Sequence, residues 1–270
     1  HALRRQFAVH LAQRRVLAAD RGNVPDADIL EKSYVVGFSS HDLHLLQARA
    51  MDQVKAWDGR LTMDSAGGTI LEATYQRLFD NIFSSKLDKD LLASYRGASD
   101  YHRRMIVALL DDPKNEWWGA AGRDAVLQKS FVAGVDWLGS QFGDAPTDWK
   151  WGRLHTATFN HPLGSVQPLD LLFNAGPVAA PGGVNTVFAT SFKVVGNKYD
   201  VSSVSSLRMI VDLSNFANSL QINTTGQSGQ PLSKHFSDNV LLWRDVQYAP
   251  FYFDRAALDK VKEGMLVLQP

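Results

Sequence analysis

In the first half of the chain, apolar residues recur at helical spacing. Phe7, Leu11 and Val16 share one face of a predicted helix over 3–19, with Arg4, Arg5, Arg14 and Arg15 on its solvated side. Gly22 ends that helix and Pro25 opens the next segment. Leu43, Leu46, Ala50 and Val54 predict a second helix over 42–56, closed by the turn dipeptide Asp58-Gly59. Asp64-Ser65 caps a third helix through Ile70, Leu71, Tyr75 and Leu78, with Gly67 and Gly68 in its first turn. Leu127, Phe131, Val135, Leu138 and Phe142 form a stripe on a fourth helix over 123–142.

After Pro146 the pattern changes. β-Branched and aromatic residues, partly alternating, predict a strand over 149–159 and a second over 186–192. Two more are predicted over 206–213 and 219–223, and the apolar end Met265-Leu266-Val267-Leu268 reads as a terminal strand. Residues 161–164 and 226–231 are turn-rich, and Ser237 or Asp238 caps a short helix through Leu242. Helices followed by strands suggest an α+β fold: a mainly helical region over 1–145 and a strand-rich part over 146–270.

Composition narrows the function classes. Lys+Arg and Asp+Glu are both 28, so the chain carries no basic field for nucleic acid. The absence of cysteine excludes disulfides, thiolate metal sites and a cysteine nucleophile within these residues. No apolar run approaches the ~18 residues of a membrane span. The start, His1-Ala2-Leu3-Arg4-Arg5, has neither an initiator Met nor the long apolar stretch of a signal peptide, and reads as the middle of a longer chain or as the product of a cut.

A specific resemblance lies in a series of short blocks. Trp57-Asp58-Gly59 and Asp64-Ser65 come first, then Trp151-Gly152-Arg153-Leu154-His155 and Phe159-Asn160-His161-Pro162-Leu163-Gly164. Gly176-Pro177-Val178, Gly182-Gly183, Thr186-Val187 and the run over 206–214 follow. The last block is Gly226-Gln227-Ser228-Gly229-Gln230-Pro231 with Ser233, His235, Asp238 and Trp243. Each block is weak alone, but in this order and spacing, over about residues 40–268, they resemble the C-terminal half of the β-chain in the penicillin acylase family.

The resemblance implies an αββα sandwich of the N-terminal-nucleophile hydrolases, of which this chain would be the C-terminal part with a helical region. Both halves would then belong to one structural domain shared with upstream segments. It implies a precursor cut into α- and β-chains, with the new N-terminal Ser as nucleophile and its own α-amine as base. A free α-amine titrates near pH 8, so it suits that task. An acyl group would be cleaved from a small-molecule amide (an aryl-acetyl amide, an acyl-homoserine lactone or a lipopeptide) by a periplasmic or secreted enzyme. The implied partners are the α-chain and the N-terminal part of the β-chain.

The sequence departs from the family at the nucleophile. It begins with His1 and has no Ser-Asn-x-Trp start, so the nucleophile and the oxyanion Asn are expected upstream; Asn23 and Asn160 are poor substitutes by position. The family carries an Arg shortly after that Asn, and Arg4 and Arg5 stand at about the matching distance; as residues alone they read as solvated helix arginines. A non-catalytic scaffold or binding fragment of the same fold is the alternative reading.

Other constellations read as structural. Ser228, His155, His161, His235 and Asp212 could be drawn as a triad, but Gly-Gln-Ser-Gly lacks the Gly-x-Ser-x-Gly elbow. His161 reads as a turn cap and His235 as a structural hydrogen-bonding group. His41 and His44 lack a visible third metal ligand, and Asp58 and Asp64 are weak calcium candidates. No cofactor is expected in this chain; the family's calcium ligands fall outside it. Arg208, inside an apolar strand, is expected in an ion pair or a carbonyl clamp, with Asp212 or Asp238 as natural partners. Trp117, Trp118, Trp137, Trp149 and Trp151 are expected mostly in the core.

Overall fold

A computed structural model describes residues 45–193 and 196–269. These divide into two compact units, one of 45–157 with 177–204 and the other of 158–176 with 205–269. The architecture mixes helices with small sheets, antiparallel where β3–β4 and β5–β7 pair, in agreement with the α+β expectation.

The first unit is organised around two long helices. Helix α1 is Leu45–Lys55 and α2 is Ala66–Phe83. Ser65 caps α2 as expected, its hydroxyl accepting the Gly68 N–H at 3.1 Å; such a cap contributes ~1 kcal/mol. The chain continues through α3 (Lys89–Gly97) and α4 (Ser99–Leu110) to α5, Gly122–Phe142. Helices α2 and α5 touch closely because Gly134 has no side chain: a Cβ there would stand 3.0 Å from the Thr74 nitrogen. One layer of core holds Leu78, Phe79, Ile82, Ile106 and Trp118, and another holds Ala50, Ile70, Phe131, Val135 and Trp149.

The strand expected over 149–159 is corrected. Only Thr156–Phe159 (β1) is a strand, and Trp151–Arg153 forms a 3-10 turn. The two tryptophans turn inward instead of alternating: the Trp149 indole N–H donates to the Gly143 carbonyl and that of Trp151 to the Gly182 carbonyl, both at 2.8 Å. A buried indole needs such a partner, and a tight turn supplies it where a ladder would not. Strand β2 is Ala175–Ala179, and it forms a two-stranded sheet with β1.

The strand expected over 186–192 shrinks to Thr190–Ser191 (β3), paired antiparallel with Ser203–Val204 (β4). The residues before it form a tight loop. Thr186 accepts the Gly183 N–H at 2.9 Å and donates to the Phe188 carbonyl at 2.6 Å. Gly182 holds φ +81 with the Phe188 carbonyl where its Cβ would be.

In the second unit a short helix α6 (Asp170–Phe173) precedes a three-stranded sheet: β5 (Leu207–Ile210), β6 (Leu220–Asn223) and β7 (Ala249–Pro250), in that order. Helices α7 (Val240–Arg244) and α8 (Arg255–Val261) complete it. No strand forms at 265–268, which corrects that expectation. Among the described residues no helix is long and apolar enough to cross a membrane.

Candidate functional site

A set of buried ionisable side chains lies inside the first unit. Glu72 on α2 and Arg103 on α4 meet in a two-pronged ion pair of 2.6 and 3.1 Å, with side chains 8% and 3% exposed. Planar guanidinium against planar carboxylate is the geometry that offsets the desolvation of two buried charges. The Arg103 guanidinium also lies 4.1 Å from the Tyr75 ring centroid.

Around this pair sit groups that could do acid–base work if substrate reached them. The Tyr75 hydroxyl and His102 Nδ1 are 2.6 Å apart. Burial pushes the His102 imidazole down to about 3, helped by the neighbouring Arg103 charge, and burial raises the Tyr75 phenol. His155 is fully buried, stacked on Trp151 at 4.7 Å, with Nδ1 2.6 Å from the Tyr199 carbonyl. That carbonyl takes the Nδ1–H, and burial pushes the ring down to about 4. Arg77 lies 4.6 Å over the Trp137 ring and donates to the Tyr199 hydroxyl at 3.3 Å. Neutral histidines, buried phenols and a paired Glu72 and Arg103 form a scaffold largely withdrawn from the surface of this unit.

The second unit carries exposed chemistry. His235 bridges two carboxylates, with Nδ1 2.7 Å from Asp238 and Nε2 3.2 Å from Glu263. Asp238 and then Glu263 raise its pKa, so the ring favours the imidazolium form. Lys234 also holds Glu263, at 2.7 Å. The drawn triad is therefore not assembled: His235 points at Glu263, while the Ser228 hydroxyl accepts the Gln230 N–H at 3.1 Å.

Ser214 does donate to Asp212, at 2.6 Å. That carboxylate also accepts the N–H groups of Ser214 and Asn215 and the Asn218 amide, and these hydrogen bonds lower it to about 2. Such a group caps a turn and is a poor proton acceptor.

The remaining candidates fall as follows. His161 caps its turn, Nδ1 accepting the Leu163 N–H at 3.1 Å. Asn160 is exposed in the second unit. Asp58 holds the Arg60 N–H at 2.8 Å and Asp64 pairs with Lys150 at 2.9 Å. Among the described residues no group of His, Asp and Glu has the arrangement of a metal site. Arg208 is half-buried; its guanidinium donates to the Trp243 carbonyl and lies 5.5 Å from the Tyr248 ring, which is the carbonyl-clamp version of the expectation. The carboxylates proposed for it are engaged elsewhere, Asp212 by its turn and Asp238 by His235. Trp118, Trp149 and Trp151 are buried, and Trp117 and Trp137 pack partly buried against the core. Arg4, Arg5, Asn23, His41 and His44 lie outside the described residues.

Sequence reasoning passed over the Glu72–Arg103 pair. A Glu within the apolar face of α2 was the available signal, but its partner is 31 residues away. Nothing in the local pattern selects Arg103 from its neighbour Arg104.

Known proteins resemble this chain along most of its length. The acyl-homoserine lactone acylase QuiP of Pseudomonas aeruginosa is 25% identical over 234 residues, covering 78% of this chain and 28% of that protein. The QuiP acylase of Pseudomonas putida is 29% identical over 202 residues, covering 71% and 24%. The penicillin acylase 2 proenzyme of Pseudomonas sp. strain SE83 is 32% identical over 224 residues, covering 78% and 28%. The chain thus spans about a quarter of the length of these relatives. The penicillin amidase family model matches residues 3–260, nearly end to end, and the chain belongs to the penicillin amidase family.

Proposed function

We propose that this chain is the C-terminal part of the catalytic β-chain of an acyl-amide hydrolase, working through an N-terminal Ser that lies outside it. The single observation that carries this reading is the unbroken family match over residues 3–260, together with the motif order from Trp57 to Trp243. The chain's share of the chemistry is scaffolding. The Glu72–Arg103 pair and the buried histidines hold a rigid support, while the Ser, its α-amine and the oxyanion donors come from upstream. Arg4 or Arg5 would organise the site from the start of this segment.

In this reading residues 1–145 and 146–270 belong to one αββα domain completed by the α-chain and the early β-chain, and the enzyme acts in the periplasm or outside the cell. Calcium, where the enzyme uses it, would bind elsewhere in the full enzyme. The substrate to test first is an acyl-homoserine lactone, the class named for the QuiP relatives, with penicillin and aryl-acetyl amides beside it.

The test uses the full-length precursor of this protein. Mass analysis should find a β-chain beginning with Ser, and replacing that Ser by Ala should abolish release of the free acid and block processing. A full-length protein that is never cleaved, or that hydrolyses equally well without that Ser, would overturn the reading. Complete inactivity on every amide offered, with correct folding, would favour the scaffold alternative.

A further inference from the structure

The motif over residues 226–238 has no part in the proposed chemistry, yet it is built tightly around His235. The Ser228 N–H donates to the His235 carbonyl at 3.0 Å, and the Asn239 N–H to the Thr225 carbonyl at 2.9 Å. The His235 N–H donates to the Ser233 hydroxyl at 3.2 Å. Gly226 permits this close approach: a Cβ there would stand 2.1 Å from the His235 carbonyl oxygen and 2.7 Å from an Asp238 carboxylate oxygen. Backbone bonds thus fix where His235 and Asp238 stand.

The other carboxylate on the ring arrives from far along the chain. Glu263 follows α8 and lies 28 residues beyond His235. Residues 263–269 form neither helix nor strand, and Met265, Leu266, Val267 and Leu268 are 61–84% exposed. Among the described residues, the side-chain contacts of this segment come from Glu263, with Lys234 and His235, and from the Met265 sulfur, with Arg255 at 3.8 Å.

The chemistry of the ring sets a condition on this arrangement. A carboxylate only accepts, and a neutral imidazole carries a single N–H. With Asp238 on Nδ1 at 2.7 Å and Glu263 on Nε2 at 3.2 Å, both contacts are hydrogen bonds only in the imidazolium. A neutral ring keeps the shorter, local bond to Asp238 and turns the Nε2 lone pair on Glu263. That carboxylate stays ionised, because Lys234 and then His235 lower its pKa. Lys234 would then hold Glu263 alone, in an exposed ion pair of the kind that contributes little.

We infer that His235 is a protonation-operated clasp, which as the imidazolium fastens residues 263–269 to the loop of residues 226–238 and as the neutral imidazole releases them. Asp238 from its own loop, and Glu263 with Lys234 beside it, are the charged groups that face the ring among the described residues. Asp238 and then Glu263 raise the pKa of His235 above its ordinary value near 6.5. The clasp is therefore closed below pH ~6.5 and is lost as the pH rises through the raised value. The segment Met265-Leu266-Val267-Leu268 is held in one place at neutral and mildly acidic pH and set free toward alkaline pH.

Two measurements on the full-length processed protein decide it. Exchange of the histidine C2 hydrogen, read by mass spectrometry, gives the pKa of His235. It should lie above 6.5 and fall in Glu263→Gln, because an amide no longer favours the charged ring. A value at or below 6.5, or one that Glu263→Gln leaves in place, overturns the clasp. The second measurement is the electron spin resonance spectrum of a nitroxide on Leu266→Cys, with any other accessible cysteine of the full-length protein replaced. Its mobile component should grow at least about twofold from pH 6 to pH 9, with the midpoint at the pKa of His235. Glu263→Gln should abolish that growth, since its amide accepts from the charged ring and donates to the neutral one. His235→Gln should abolish it too, and either variant suffices if the other does not fold. A spectrum that does not change with pH, or a change that survives in a folded variant, overturns the inference.

Discussion

In the unit of residues 45–157 and 177–204, Ile70, Leu78, Phe79, Ile82, Val135 and Leu138 are fully excluded from solvent. In the unit of 158–176 and 205–269, Leu171, Leu213, Leu232, Leu266 and Leu268 stand 83–85% exposed, and the buried apolar side chains among the described residues are Ala175, Ile222, Val240 and Trp243. Composition does not explain the contrast, because both units are rich in Leu and Phe. Helices α2 and α5 of the first unit bury their stripes against each other, whereas the β5–β7 sheet of the second is flanked by short helices and leaves much of its apolar surface uncovered. A unit that covers its own core carries its stability in local packing; one that does not carries it in whatever covers it.

Deleting a charge from the first unit should give the largest effect. Arg103→Ala strands the Glu72 carboxylate in the core and should cost ~3–5 kcal/mol in denaturant unfolding of the complete protein. The paired replacement Glu72→Leu with Arg103→Met should recover much of this, since apolar residues of similar volume tolerate the site. A single Arg103→Ala variant as stable as the parent would show that the ion pair is not the keystone its burial indicates.

Acid should also weaken the first unit. His102 and His155 have folded pKa values pushed to about 3 and about 4, below the unfolded value near 6.5. The unfolded chain therefore binds more protons as the pH falls below 6.5, so stability is full above that pH and declines toward the folded values. At pH 5 each histidine should have cost about 2 kcal/mol relative to pH 8. The check is the denaturant midpoint across that range, which a flat profile between pH 7 and 5 would contradict.

Arg208→Ala in the second unit should cost less, ~1.5–3 kcal/mol, the scale of a hydrogen bond from a charged donor. Turnover per folded molecule should be unchanged. Loss of turnover by orders of magnitude at an unchanged melting temperature would place Arg208 in the reaction.

The smallest effect bears directly on the contrast. Leu91 and Leu207 are about equally exposed, at 52% and 55%. In the complete protein Leu91→Ser should change stability by less than ~0.5 kcal/mol. Leu207→Ser should cost more than ~1 kcal/mol if parts of the protein outside the described residues cover that side chain. Equal, small effects would mean that the second unit tolerates its exposed leucines as they stand.

Much of the fold was legible because the responsible physics is local. The stripe Leu127, Phe131, Val135 and Leu138 marks α5, and Ser65 caps α2, because backbone periodicity and an unsatisfied helix end are properties of neighbouring residues. Helices α3 and α4 were not anticipated. Helix α3 buries none of its residues, so no apolar stripe announced it, although Asp88 caps it by accepting the Leu91 N–H at 2.8 Å. The strands were anticipated too long at 149–159 and 186–192, because aromatic and β-branched residues also suit tight turns when an indole or a hydroxyl finds a carbonyl there. As for the site, His161 and His235 could be read as structural groups, and Arg4 and Arg5 could be singled out by family spacing alone.

The sequence by itself determined the helical periods, the cap of α2 and the family, the last through motifs whose order survives without coordinates. Only the tertiary structure decided which charges are buried and which apolar residues are not. Glu72 reaches Arg103 across 31 residues, and β5 meets β6 with Leu207 opposite Asn223. Both depend on which distant segments come together. Desolvation and strand pairing are energies of that meeting, and a linear pattern of residues carries the cost of neither until the partner is in place.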